Sequence, residues 1–464
     1  MRETMSIAAG KIFFNNLIRG LGSSVDERSH KAKRHIFLSV FYKVVDTFFA
    51  LALVPLSLNY LDSESYGIWL VLFSITSWLQ FLNVGLGQGL RNKLAKALAK
   101  GNHEEARQYI STAYAAMTAI SSAAMLVFFG ANHFIDWSRV LNTTQIPGGE
   151  LKLLAAVAVG GCLASMVLSL ITTILTADQR PSINTSYVLF SKILSTIGLL
   201  ILLKTTEGSL LKLGCIFSLA PVLVLVWQTV HYFSRDYRRY RPAVSQIRIR
   251  RLGGLLTLGT NFFIISIAYI ILFTTGNFII AQLYGPAEVT PYQIAAKYFG
   301  MAQMLFMIVL QPLWSAVTDA YHKEDFRWIE RIMKKMFMLW RLFIAGVVAM
   351  LIISPVFYKY WLHGKVTVPF WTSVGWAAFV AISGITSVYT SFINGVGKLR
   401  LQVYTAVFGG IVSIPLALFF AKTMNMGIAG VIFAAALCQG ASLLWQPVQY
   451  RKIIAGTARG IWNK

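Results

Sequence analysis

The chain has 464 residues, of which 56% are hydrophobic and only 13% charged, against roughly 25% charged in a typical soluble domain. That composition excludes an ordinary soluble enzyme and points to an integral membrane protein. The 42 Lys and Arg outweigh the 18 Asp and Glu, for a net charge of +24. In a soluble chain this balance would point to nucleic acid; in a membrane chain it points to basic cytoplasmic loops.

The first 34 residues lack the apolar core and small-residue cleavage site of a signal peptide. Within this tail, "SIAAGKIFFNNLIRGLG" reads as a helix lying on the membrane surface. A spanning helix needs about 20 apolar residues, and twelve segments qualify. Six of them (35–58, 67–88, 109–131, 153–175, 183–203 and 213–232) make an N-terminal lobe over residues 35–233. The other six (255–283, 293–317, 337–357, 371–393, 401–420 and 428–445) make a C-terminal lobe over residues 255–447. Between them, residues 234–254 hold seven arginines and read as a basic cytoplasmic linker facing solvent or lipid headgroups. Residues 448–464 form a second tail.

The positive charges orient the bundle. The two tails and the even-numbered connections carry 31 Lys and Arg, the odd-numbered connections 7, and the spans themselves 4. Both termini are therefore expected in the cytoplasm, and the excess charge needs no nucleic-acid partner. Gln88 and Leu90 after span two align with Gln311 and Leu313 in span eight, each followed by a basic segment. This echo suits two related lobes with a site at their interface.

The stretch "NVGLGQGLRNKLAKALAKGN" sets Gly85, Gly87 and Gly89 before a ladder of lysines. A dinucleotide fold needs such glycines between a strand and a helix, whereas these close an apolar span, and no Gly-Lys-Ser/Thr follows. Gly85 and Gly89, four apart, are expected on one helix-packing face. Leu90, Leu94 and Leu98 form an apolar stripe with Arg91, Lys93, Lys96 and Lys100 on the other faces, an amphipathic basic helix at the membrane surface. Cys162, Cys215 and Cys438 fall in separate apolar segments without metal-ligand spacing and read as small buried side chains. The seven histidines are scattered. Nothing calls for a metal or cofactor.

Four cations and one acid lie within the spans: Lys43, Lys192, Lys297, Arg341 and Asp46. A charge facing lipid costs about 2.5–3.5 kcal/mol, so each is a functional candidate. Lys43 and Asp46 share a face, either as a self-neutralising pair or as part of a cavity wall. Lys192 is too deep to snorkel easily. Lys297, toward the outer end of its span, and Arg341 either snorkel or line a cavity. Arg91 ends span two as positive-inside charge or cavity lining, and Asp319 reads as solvated. Asn261, Asn277, Gln293 and Gln303 are polar cavity candidates or interhelical glue. A cavity with this surplus of cations attracts phosphate or acidic sugars and repels cationic drugs. Pro55 suits a kink in span one, and Trp137, Tyr358, Tyr360 and Trp361 read as an interfacial aromatic belt.

"YGIW" at 66–69, the stretch from Asn83 to Tyr114 and "GNFIIAQLYGPAEVTPYQIAAKYF" at 276–299 together resemble the polysaccharide transporter (O-antigen flippase) family of the multidrug/oligosaccharidyl-lipid/polysaccharide exporter (MOP) superfamily. That family often has an acid where this chain has Asn83, so the acid's role does not carry over. The resemblance implies two six-helix lobes around a central cavity, with Lys43, Asp46 and Lys297 on its wall. It implies a flippase in the bacterial inner membrane that moves an undecaprenyl-diphosphate-linked glycan by alternating access, beside polysaccharide polymerase machinery and as a monomer. With no nucleotide motif, energy would come from an ion gradient or product consumption, and Asp46 is the one intramembrane acid for ion coupling. The alternative is a multidrug or cation antiporter, which needs more acids. A polymerase or ligase needs a large outer loop and a catalytic constellation, so an enzyme is not expected.

Overall fold

The computed structural model describes residues 27–463 apart from 84, 179 and 257–259. The expected surface helix at 6–22 lies outside the described residues.

The helices run in chain order. In the N-terminal half they are α1 (Glu27–Tyr60), α2 (Ser63–Trp78), α3 (Leu86–Ala99), α4 (His103–Phe134), α5 (Trp137–Leu141), α6 (Gly148–Leu168), α7 (Leu170–Ala177), α8 (Pro181–Thr205) and α9 (Leu210–Ser234). Then come α10 (Arg250–Leu256), α11 (Thr260–Tyr284), α12 (Val289–His322), α13 (Phe326–Trp361), α14 (Phe370–Val396), α15 (Arg400–Leu418), α16 (Gly427–Gly440) and α17 (Gln446–Ile454). Among the described residues, eleven helical segments are long and apolar enough to cross a membrane. The 25-residue α11 stands at the place of predicted span seven. The chain is a multi-pass membrane protein.

Side-chain oxygens start several helices by accepting from first-turn N–H groups. Asp62 caps α2, Asn102 caps α4, Ser209 caps α9 and Asp325 caps α13. Pro181 opens α8, where its missing N–H has no helical partner to lose.

Packing divides the molecule by depth. At the end bearing the odd-numbered connections, one apolar core spans both lobes, with Ile68, Leu72, Leu154 and Leu213 joined to Ile280, Ile294, Phe299 and Val431. At the opposite, linker end the core splits in two. Leu90, Ile110, Ile171 and Leu225 serve the N-terminal lobe, and Phe306, Val317, Met333 and Phe392 the C-terminal lobe. The lobes are thus joined at the far end and separately packed at the linker end. The far-end seam rests on close backbone approach. Gly67 of α2 faces the turn before α12, where an added Cβ would fall 1.8 Å from the carbonyl oxygen of Pro286. Across the seam Thr290 donates to the Ser63 carbonyl (2.7 Å), Asn142 to that of Ala281 (2.9 Å) and Lys365 to that of Leu58 (3.1 Å).

Several expectations change. Span two does not run on as one helix to Gln88: α2 stops at Trp78, a 3-10 turn covers Leu79–Asn83, and Gly85 sits at φ 75° as the N-cap of α3. Gly85 is therefore a helix-break residue, in the left-handed region that glycine enters without strain. Gly89 is the packing glycine, since an added Cβ would lie 1.8 Å from the Leu255 carbonyl oxygen. The leucine stripe of α3 faces protein: Leu90 and Leu94 are fully buried. The second-half echo has a different shape, because α12 passes through Gln311 and Leu313 without a break, there being no glycine from 301 to 322.

Most linker residues are exposed, yet the segment is anchored. Its 3-10 turns and α10 pack on the N-terminal lobe: Ala243 N–H donates to Ser111 (3.1 Å), Arg248 N–H to Thr112 (3.0 Å), and His103 pairs with Tyr240 (2.5 Å). Arg251 donates to Gln108 (2.8 Å) and Glu105 (2.9 Å) and covers the Tyr109 ring. The Tyr237 hydroxyl donates to Asp178 (2.5 Å); burial, reinforced by that bond, holds this phenol well above its usual range. Arg241, Arg248 and Arg251 find backbone or side-chain partners, whereas Arg235, Arg238, Arg239 and Arg250 are exposed.

The aromatic belt also shrinks. Trp137 and Tyr358 are buried in the far-end core, Trp361 donates to the Leu51 carbonyl (3.3 Å), and only Tyr360 is fully exposed. The three cysteines are half-buried rather than buried.

Candidate functional site

The intramembrane charges converge on α1, α8 and α12. Lys43 and Asp46 are three residues apart on α1, which places both on one face. Lys43 Nζ lies 3.2 Å from Asp46 Oδ2. The neighbouring α8 brings Lys192, whose Nζ lies 2.6 Å from Asp46 Oδ1. This contact is an ion pair out of line for a hydrogen bond; the same ammonium also approaches the Asp46 carbonyl oxygen at 3.5 Å. The carboxylate is 2% exposed, while the Lys43 and Lys192 side chains keep 44% and 30% of their surface. One buried acid is thus held between two partly open lysines.

The third lysine comes from the other lobe. Lys297 of α12 donates to the Tyr66 hydroxyl (2.9 Å) and stands 5.6 Å from that ring's centre. The sequence set Lys297 near the outer end of its span. The helical stretch in fact begins at Pro286, so Lys297 lies near the middle of Pro286–Leu310, and its ammonium meets Tyr66 rather than the interface. Next to Asp46, the Thr47 hydroxyl sits 2.9 Å from both the Lys43 carbonyl and Met304 Sδ of α12. The two lobes therefore touch beside the carboxylate.

The remaining candidates lie elsewhere. Arg341 is on an exposed face of α13 with Met338 and Leu342, and Arg91 is exposed on α3; neither has a polar partner among the described residues. Asp319 pairs with Lys323 at 2.8 Å in the open. Asn277 is buried and fully engaged, donating to Ser74 (2.7 Å) and accepting from Gln293 (2.6 Å). These two amides tie α2, α11 and α12 together. The side chain of Asn261 lies outside the described residues. Gln303 lines a separate cavity in the C-terminal lobe. Sequence reasoning missed Thr47, Met304 and the role of Tyr66, whose signal was its place in the "YGIW" motif.

No family model matches the chain. Among curated proteins, it is 19% identical over 424 residues to a Yersinia pseudotuberculosis protein named "Putative O-antigen export protein", covering 89% of this chain and 94% of the relative. It is 22% identical over 308 residues to the Salmonella typhi "Putative O-antigen transporter", covering 64% and 68%. Among solved structures, an inward-facing multidrug resistance MATE family transporter of the MOP superfamily superposes with a TM-score of 0.73 at 13% identity, covering 91% of this chain and 98% of that one. The chain shares that structure's fold. An outward-facing member gives 0.64 at 14% identity, over 92% and 96%. A MOP transporter from Pyrococcus furiosus, described as having a binding pocket of reversed polarity, gives 0.65 at 14%, over 93% and 96%. The resemblance read from "YGIW" and residues 276–299 is to the O-antigen exporters that these curated relatives represent.

Proposed function

We propose that the protein is a flippase that carries a polyprenyl-diphosphate-linked oligosaccharide, an O-antigen-type repeat unit, across the bacterial inner membrane. The observation that carries this reading is the pair Lys43 and Lys192 around a single buried carboxylate, with Lys297 of the other lobe held on Tyr66, in the membrane interior. A diphosphate is a ligand for clustered ammonium groups in a low-dielectric site. The cation-antiporter reading needs a free acid, and Asp46 is already occupied by two lysines.

Separate cores at the linker end and a shared core at the far end suit a cleft open toward the linker. With the basic linker in the cytoplasm, this is the inward-facing state, in which the glycan-diphosphate head enters while the lipid tail stays in the bilayer. Rocking of the lobes then opens the far end. No covalent step is involved, so the protein acts as a transporter rather than an enzyme. Asp46 is the group that couples transport to a proton: it stays ionised beside its two lysines while the diphosphate is bound, and a proton taken up at the far side after release rides the empty return. The relatives' printed names support the glycan class, and a polymerase that receives the flipped unit is the natural partner.

The test is complementation of a strain lacking its own exporter, with surface polysaccharide read on a gel and protein level checked by immunoblot. Asp46→Asn and Lys192→Ala should each lose most of the ladder. Wild-type ladders from both, at normal protein levels, overturn the assignment.

A further inference from the structure

The C-terminal lobe encloses a different kind of site. Near the linker end, α11, α12, α14, α15 and α16 surround a half-open cavity of about 430 Å³, within the usual range of small-molecule pockets, roughly 300–1,000 Å³. None of its lining side chains is charged. It begins one residue from the lysine group, since Gln303 on its wall precedes Met304, the residue that Thr47 contacts.

Six lining side chains carry a buried polar atom without a hydrogen-bond partner among the described residues. They are the carbonyl oxygens of Gln303, Asn394, Gln402 and Gln446, the hydroxyl of Ser383 and the indole N–H of Trp445. Buried polar atoms are ordinarily paired, and these six belong to residues that line the cavity from several sides, each with its polar atom turned from open space. Two neighbouring amides are steadied from α14: Gln439 donates to Thr386 (2.9 Å) and Gln446 to Thr390 (3.1 Å). Turning the free amide ends about their terminal torsions brings acceptors and donors into the cavity.

The chemistry selects the ligand. A charged group would enter without a counter-charge, at a desolvation cost. An apolar one would leave the six atoms unpaired. A neutral polyol both donates and accepts, and the ring of Trp445 offers a flat apolar face to the C–H side of a sugar. We infer that this cavity binds an uncharged sugar ring, separately from the lysine group. In the proposed cycle the lysine group, drawn from both lobes, then holds the anionic part of the cargo and the C-terminal cavity a neutral sugar. The cavity's role in transport rests on the flippase reading; its binding of sugar does not.

The experiment is a saturation-transfer NMR titration of the full-length protein in lipid nanodiscs with N-acetylglucosamine, galactose and maltose, with glucuronate as the charged control. At least one neutral sugar should bind saturably and compete with no glucuronate. Gln402→Leu should weaken it about fivefold or more, as expected for one lost hydrogen bond. Trp445→Phe, which keeps a ring and loses the donor, serves as the second variant should the first fail to fold. Absence of saturable binding by all three sugars overturns the inference, as does binding that neither variant weakens. Because the polysaccharide gel reads the lysine group alone, either reading can fail while the other stands.

Discussion

Lys192 of α8 reaches within 2.6 Å of the Asp46 carboxylate on α1, so one ion pair fastens the first long helix of the N-terminal lobe to α8. Removing one partner of a fully buried pair costs about 3–5 kcal/mol. Here Lys192 keeps 30% exposure and Lys43 remains as a second partner, so Lys192→Met should cost on the order of 2 kcal/mol. Asp46→Asn should cost at least as much, because it leaves two facing lysines uncompensated. The double variant should recover part of the sum. Thermal unfolding of the four proteins in one detergent checks this, and strict additivity contradicts the pairing.

Closure of the far end depends on Gly67. Its missing Cβ makes room for the Pro286 carbonyl, so Gly67→Ala should push α2 away from the turn before α12 and favour the state open at that end. Double electron–electron resonance between spin labels at the exposed Tyr360 and Phe134 should show a longer distance in the variant. An unchanged distribution contradicts the role given to this contact.

The linker should behave as part of the N-terminal lobe. Arg251→Ala removes hydrogen bonds to Glu105 and Gln108 and the contact over Tyr109. Both members of the ion pair are 29% exposed, so the stability change should be about 1 kcal/mol. The local effect should be larger. Limited trypsin digestion should cut at the remaining linker arginines several times faster than in the wild type.

Lys297 and Tyr66 make a separable contribution. Tyr66→Phe removes the hydroxyl that Lys297 donates to and keeps the ring beneath the ammonium. It should reduce the polysaccharide ladder modestly, whereas Lys297→Ala should reduce it as severely as Lys192→Ala. Equal loss from both would place the function in the hydroxyl rather than the charge.

Much of the architecture was legible because membrane spans announce themselves by length and apolarity, and the intramembrane charges by their rarity. Lys43 and Asp46 could be paired by their spacing on one helix. That Lys192 completes the group could not, since α1 and α8 are neighbours through packing and nothing in the local sequence records it. The glycine stretch misled at one position. Spacing alone makes Gly85 and Gly89 equivalent, yet one breaks the helix at φ 75° and the other admits the Leu255 carbonyl. The arginine-rich linker was legible only in part: its charge was visible, and its hydrogen bonds to α4 were not. The C-terminal cavity was the least legible, because its Gln, Asn and Ser residues are uncharged and come from separate helices.

The lysine group also has an electrical meaning. Lys43, Lys192 and Lys297 against one carboxylate leave a surplus of two positive charges in the membrane interior, and in the proposed cycle the diphosphate diester that is carried brings two negative ones. The loaded transporter is then electroneutral at its centre, and its outward swing does little work against the membrane voltage. The empty transporter swings back with the surplus uncovered. An interior-negative potential acts on each charge that crosses it with about 2.3 kcal/mol per 100 mV, and it pulls in the direction of the return. Voltage therefore resets the carrier rather than opposing its cargo.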